Sequence, residues 1–148
     1  MSDLKDRLDK DFKSALKSRD TVRKNVVQLV RAAILQKEKD EQIDALDEAD
    51  ILKIIEKAIK ERKELIDSLD GQRQDVIEQK EEEIEILSDY LPKQLTDEEL
   101  DELVQEVIAQ EDATSMKDMG KVMGILTKKT AGRADGARIS EVVKSYLA

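Results

Sequence analysis

The sequence predicts an all-α protein. An N-terminal helical bundle or hairpin domain of about four helices would occupy residues 1–92, and a small three-helix domain residues 93–148. Three observations predict this. Aliphatic residues recur at helical spacing through nearly the whole chain. Only one Pro and five Gly interrupt 148 residues, of which 41% are charged, a composition suited to solvent-washed helices. No stretch alternates apolar and polar residues as a half-buried strand would. The regular aliphatic spacing also argues against disorder, the competing reading at this charge level. With 39% hydrophobic but 2% aromatic residues, the core must be thin and built of Val, Ile, Leu and Ala.

The elements follow in order. A first helix is expected from Asp3 to about Lys17, with Ser2 as N-cap and a stripe of Leu4, Leu8, Phe12 and Ala15/Leu16. A second runs from about Thr21 to Glu41 behind Asp20 as cap; Val22, Val26, Leu29/Val30 and Ala33/Ile34 form its apolar face. The third begins near Asp47 or Glu48 and ends at Asp70, with Gly71 suited to the left-handed position after it. Its stripe is Ile51, Ile54/Ile55, Ala58/Ile59, Arg62, Leu65/Ile66 and Leu69. The fourth spans about Gln72 to Tyr90, with Val76/Ile77, Lys80, Ile84 and Leu87 inward. Arg62 and Lys80 interrupt their stripes, which suggests long side chains snorkelling at the edge of a packed face. The charge run from Glu78 to Glu85 reads as a solvated helix face.

Pro92 disfavours helical backbone at Leu91 and stops the fourth helix. Thr96 with Glu99 makes a capping box, and Leu95 with Leu100 fits a hydrophobic staple, so a new helix starts here. This is the clearest boundary signal in the chain. The fifth helix, Asp97 to about Gln110, would bury Leu100, Leu103/Val104 and Val107/Ile108. Ser115 and Asp118 repeat the capping-box pattern and open a sixth helix that runs to about Thr130, with Gly132 beyond its end. Asp135 caps the seventh, Gly136 to Leu147, which would bury Ile139, Val142/Val143 and Tyr146.

The composition excludes several kinds of chemistry. There is no Cys and no His, so disulfides, thiolate catalysis, cysteine metal sites and the commonest general base are absent. No metal site and no cofactor is expected. No apolar run approaches the ~20 residues that span a bilayer, and the N-terminal residues MSDLKDRLDKDF lack a signal-peptide apolar region. A cytoplasmic protein without membrane attachment is therefore expected.

The net charge of −9 looks unsuited to nucleic acid, but its distribution matters more. Residues 115–148 hold seven Lys/Arg against three Asp/Glu, or +4; the rest hold 19 against 32, or −13. In this basic island stands DMGKVMG, with glycines at 120 and 124. A glycine inside a helix costs ~1 kcal/mol against Ala, so two of them on one side need a reason. On a helical wheel Met119, Val122, Met123, Leu126 and Thr130 form the core face. Gly120, Gly124 and Thr127 lie beside it, bordered by Lys117, Lys121 and Lys128. One reading is that a neighbouring helix packs closely over the glycines. The other is a platform for an RNA backbone: bare positions admit phosphate and sugar while Lys117, Lys121, Lys128, Arg133 and Arg138 neutralise them. Helix N-termini near Ser115 and Asp135 would add N–H donors. No aromatic residues stand among these cations, so shape recognition of structured RNA fits better than base stacking. A second basic cluster, Lys13, Lys17, Arg19, Arg23, Lys24 and Arg31, reads first as a solvated face.

The segments EIEILSDYLPKQLTDEEL and MKDMGKVMGILTKKTAGRADGARISEVVKSYL closely resemble the GatB/YqeY family, over essentially the whole chain in its YqeY-like form. The last ~50 residues are similar to the C-terminal tail of the B subunit of the tRNA-dependent amidotransferase, which converts misacylated glutamate or aspartate on tRNA to the amide. That tail is a helical appendage contacting the tRNA elbow. Gly120, Lys121, Gly124, Lys128, Gly132, Arg133, Ala134 and Asp135 match its glycine-rich and G-(K/R)-A-D elements, so the resemblance implies an RNA-facing role for some of them. Nothing here corresponds to the catalytic domain of that enzyme or to its ammonia-supplying subunit. Three functions remain open: a tRNA-associated module without catalysis of its own, an adaptor docking on an amidotransferase or synthetase, and an enzyme aiding amide transfer.

Overall fold

The computed structural model describes residues 3–148, and all secondary structure among them is helical. Seven α-helices follow one another: α1 (Asp3–Ser18), α2 (Thr21–Glu41), α3 (Glu48–Ser68), α4 (Gln74–Ser88), α5 (Asp97–Gln110), α6 (Met119–Lys129) and α7 (Gly136–Leu147), with a 3-10 turn at Met116–Asp118 before α6. The expected cap Ser2 lies outside the described residues. Contacts divide the chain into two compact units, Met1–Leu91 and Pro92–Ala148.

In the first unit α1 and α2 fold back on each other through Arg19 and Asp20. Arg19 takes a left-handed φ of 59°, and the Asp20 side chain accepts the backbone N–H of Arg23 at 3.1 Å. Asp47 caps α3 in the same way. At the far end of α3 the left-handed turn is shared by Asp70 (φ 47°) and Gly71 (φ 77°). The interior is aliphatic: Leu8, Val27, Ile34, Ile51, Ile55 and Leu87 are fully buried. Leu16, Leu29 and Leu65, placed on apolar stripes by their spacing, are instead exposed.

The inward face of α4 differs from expectation in a telling way. Ile77, Glu83, Ile86 and Leu87 are buried, while Ile84 is only half-buried. Glu83 belongs to the supposedly solvated charge run, yet its carboxylate accepts Arg62 Nε at 2.8 Å and Lys80 Nζ at 3.3 Å. Arg62 also donates to the Ala58 carbonyl at 3.0 Å. The two cations that interrupt the α3 and α4 stripes therefore converge on one buried anion instead of snorkelling separately. Glu38 is buried likewise, accepting Lys5 Nζ at 2.9 Å and the Leu46 N–H at 3.0 Å.

The second unit packs α5, α6 and α7 around Leu95, Leu100, Val104, Val107, Val122, Leu126, Ile139, Val143 and Leu147. The capping box at α5 forms in both directions: the Thr96 hydroxyl accepts the Glu99 N–H, and Glu99 accepts the Thr96 N–H, each at 3.1 Å. Tyr146 is exposed where a buried side chain was expected. The inward stripe of α7 runs Ile139, Val143, Leu147 at steps of four and passes it by; its hydroxyl donates to Asp101 at 2.6 Å.

Residues 93–97 form a strap over the loop between α6 and α7. The Leu95 N–H donates to the Arg133 carbonyl at 2.8 Å, and Gln94 Nε2 donates to the Gly132 carbonyl at 2.6 Å. In return Arg133 Nε donates to the Lys93 carbonyl at 3.0 Å. Gly132 is buried with a φ of 75°, a conformation that a side chain would strain.

Candidate nucleic-acid interface

The candidate residues are positioned by α6 and its two ends. The 3-10 turn sets Lys117 in solvent, and Asp118 secures that turn by accepting the N–H groups of Thr114 and Ser115 at 2.9 and 3.4 Å. From there α6 buries Val122 and Leu126, with Met119, Met123 and Ile125 half-buried against the same core. The opposite side carries Gly120, Lys121, Gly124, Thr127 and Lys128, all exposed. Residues three and four apart are neighbours on a helix surface, so Gly120, Lys121, Gly124 and Lys128 form one outward stripe, with Lys117 exposed on the 3-10 turn that leads into it.

The glycines distinguish the two readings of that stripe. A Cβ built on Gly120 or on Gly124 would meet no atom within 4 Å. No other helix of the second unit packs closely over either glycine, so close packing within that unit does not account for them. The backbone between the lysines is open to something outside the chain. Lys121 keeps 62% of its side chain exposed although it pairs with Glu111 at 3.2 Å, a surface contact worth little. Lys117 and Lys128 are exposed as well.

Arg133 and Arg138 do not join this stripe in the same way. Both guanidinium groups are engaged by the strap. Arg133 holds the Lys93 carbonyl; Arg138 holds the Leu95 carbonyl at 3.0 Å and the Asp97 carboxylate at 2.9 Å. They tie residues 93–97 to the loop before α7 and to its first turn, a role that spacing does not show because it links residues about 40 apart with no periodic signal. The expected N–H donors at helix starts are also partly taken: Asp135 accepts the Arg138 N–H at 2.9 Å, and Asp118 serves the turn before α6. A phosphate would meet carboxylates at both places. Glu99 lies in the same corner; the Thr96 N–H and hydroxyl, then Arg133 and Lys93, hold its carboxyl below the usual range.

The second basic cluster is partly neutralised within the first unit. Arg31 pairs with Asp9 at 2.8 Å and stacks on Phe12, 4.4 Å from the ring centre, while Arg23 pairs with Asp20 at 3.5 Å. Lys13, Lys17 and Arg19 remain exposed. Among the described residues no group of acidic side chains is arranged to hold a metal ion, and no helix is long and apolar enough to cross a membrane.

The sequence model of the YqeY-like protein family matches residues 5–147. The chain is also similar to "Altered inheritance of mitochondria protein 41, mitochondrial" of Lachancea thermotolerans, with 38% identity over 85 residues, 57% of this chain and 46% of that protein. The match thus spans about half the length of that curated relative.

Proposed function

We propose, from the premise that this chain belongs to the YqeY-like protein family, that it is a tRNA-binding module that acts in the cytoplasm beside tRNA-dependent amide transfer and has no catalysis of its own. The observation that carries this reading is the open stripe on α6. Two glycines whose Cβ positions no atom of the described residues approaches within 4 Å stand among three exposed lysines. A folded polyanion is the ligand such a stripe suits: the lysines neutralise phosphates, and the missing side chains let the sugar-phosphate backbone come close. The likeness of the last ~50 residues to the amidotransferase tail supports tRNA as that polyanion, recognised by its folded shape.

Filter binding of tRNA across a salt series tests the proposal. Three lysine–phosphate contacts give a slope of log Kobs against log[salt] of about −2 to −3. The double change Lys121→Glu/Lys128→Glu is expected to weaken binding roughly tenfold or more at 0.1 M salt. A Kd weaker than ~10⁻⁴ M at low salt, the level of non-specific contact, would end the proposal.

A further inference from the structure

The first unit carries a second surface that the tRNA reading does not use. A groove of about 640 Å³ lies between α2 and α3, with Leu87 of α4 at its floor. Its α2 wall is one helical face: Val26, Leu29, Val30, Ala33, Gln36, Lys37 and Asp40, spaced at three and four residues. From Val26 to Asp40 this face is ~21 Å long at 1.5 Å per residue, the length of about four helical turns. Leu29 is 59% exposed although it belongs to this apolar row, and Ala33 beside it is exposed too.

The charges around the groove have a sign opposite to that of their unit. Residues 1–91 hold 18 Lys/Arg and 24 Asp/Glu, a net −6. The groove itself is lined by Lys37, Lys53, Lys57 and Arg62 against Asp40 and Glu61; with Arg62 paired to the buried Glu83, the remaining lining charge is +1. Asp40 accepts Gln36 Nε2 at 2.8 Å, and Glu61 and Lys57 lie 4.0 Å apart as a pair. Lys37 and Lys53, one on each wall, have no hydrogen-bond or ion-pair partner among the described residues. Arg62 spends Nε on Glu83 and Nη1 on the Ala58 carbonyl, so the cations open to a ligand are Lys37 and Lys53.

We propose that this groove docks an acidic amphipathic helix of a partner protein. The helix would set leucine-type side chains at i, i+3, i+4 and i+7 over Leu29, Ala33 and Ile54, the helix-in-groove mode of recognition. Its carboxylates would meet Lys37 and Lys53 at the rims. The charge complementarity sets orientation and partner choice. The proposal is independent of the tRNA reading, because it rests on a different unit and a different set of residues.

The test uses the full chain and two synthetic 18-residue amphipathic peptides with the same leucine stripe, one with glutamates on its polar face and one with lysines. Fluorescence anisotropy should show the acidic peptide binding at least tenfold more tightly than the basic one. Backbone amide NMR shifts should map to residues 26–40 and 53–62. Leu29→Glu/Ala33→Glu, both at exposed positions, should weaken the acidic peptide at least tenfold while far-UV circular dichroism stays unchanged. Lys37→Glu/Lys53→Glu should reverse the preference between the peptides. The proposal is overturned if both peptides bind alike or neither binds, if the shifts fall on residues 117–128, or if tRNA and not peptide perturbs the α2–α3 face.

Discussion

At position 83 a carboxylate occupies a place that helical periodicity reserves for an aliphatic side chain. Taking an ion out of water is costly unless it is paired, and Glu83 is paired twice, with Arg62 and Lys80. Replacing Arg62 by Leu leaves that carboxylate with a single, more exposed partner. We expect a loss of about 2–4 kcal/mol in a urea melt; joint replacement of Arg62 and Glu83 by leucine should recover much of it. Glu38 makes a pH prediction. The hydrogen bond from Lys5, then the Leu46 N–H, hold its carboxyl below the usual value of 4.5. Its contribution to stability is therefore full above about pH 4.5 and is lost as the pH falls through the lowered folded value. Urea midpoints of the native protein and of Glu38→Gln should differ most near neutral pH and converge in acid; an unchanged gap at pH 3 would contradict this pairing. Neither residue was legible beforehand. Spacing rules sort residues by polarity and send every glutamate to solvent. Whether a carboxylate finds a cation 21 or 33 residues away is decided by how helices pack.

At the scale of elements, local signals carried further. Asp20 and Asp47 cap α2 and α3, and Thr96 with Glu99 starts α5, because each acts within three residues of its partner. The phases of α4 and α7 were less legible: Ile84 and Tyr146 fit a 3.6-residue stripe nearly as well as Ile86 and Leu147 do. The strap illustrates what sequence spacing hides. Arg138→Ala removes a charged donor from the Leu95 carbonyl, while its pair with Asp97, whose side chain is 98% exposed, contributes little. A loss of about 1–2 kcal/mol is expected in thermal melts. If the arginines serve the strap, Arg133→Ala and Arg138→Ala should alter stability with much less effect on the salt slope of RNA binding than Lys121→Ala. Within α6, a methyl group at Gly120 or Gly124 meets open space, so alanine restores helix propensity. The double change should raise stability by roughly 1–2 kcal/mol, least at Gly120 in the first turn; a fall in the melting temperature would contradict the open surface.

For the whole molecule, the all-helical class was written in composition and periodicity, and the basic island in residues 115–148 was legible as a charge imbalance on an acidic chain. The stripe Gly120, Lys121, Gly124, Lys128 was readable because a single helix fixes its own surface register; the 3-10 turn that carries Lys117 was not. Whether another helix covers the glycines was not, since that depends on tertiary packing; within the second unit both stand open. The basic groove of the first unit was equally hidden: its cations come from two helices, and α3 by itself holds five Lys/Arg against six Asp/Glu. α6 carries two helix-weakening residues at positions where alanine would fit, and the proposed contact with an RNA backbone is the reason for both. The most direct measurement is the tRNA affinity of Gly120→Ala/Gly124→Ala beside the native protein at matched salt. Severalfold weaker binding by the more stable variant is the predicted result; equal affinity, with the gain in stability intact, would contradict it.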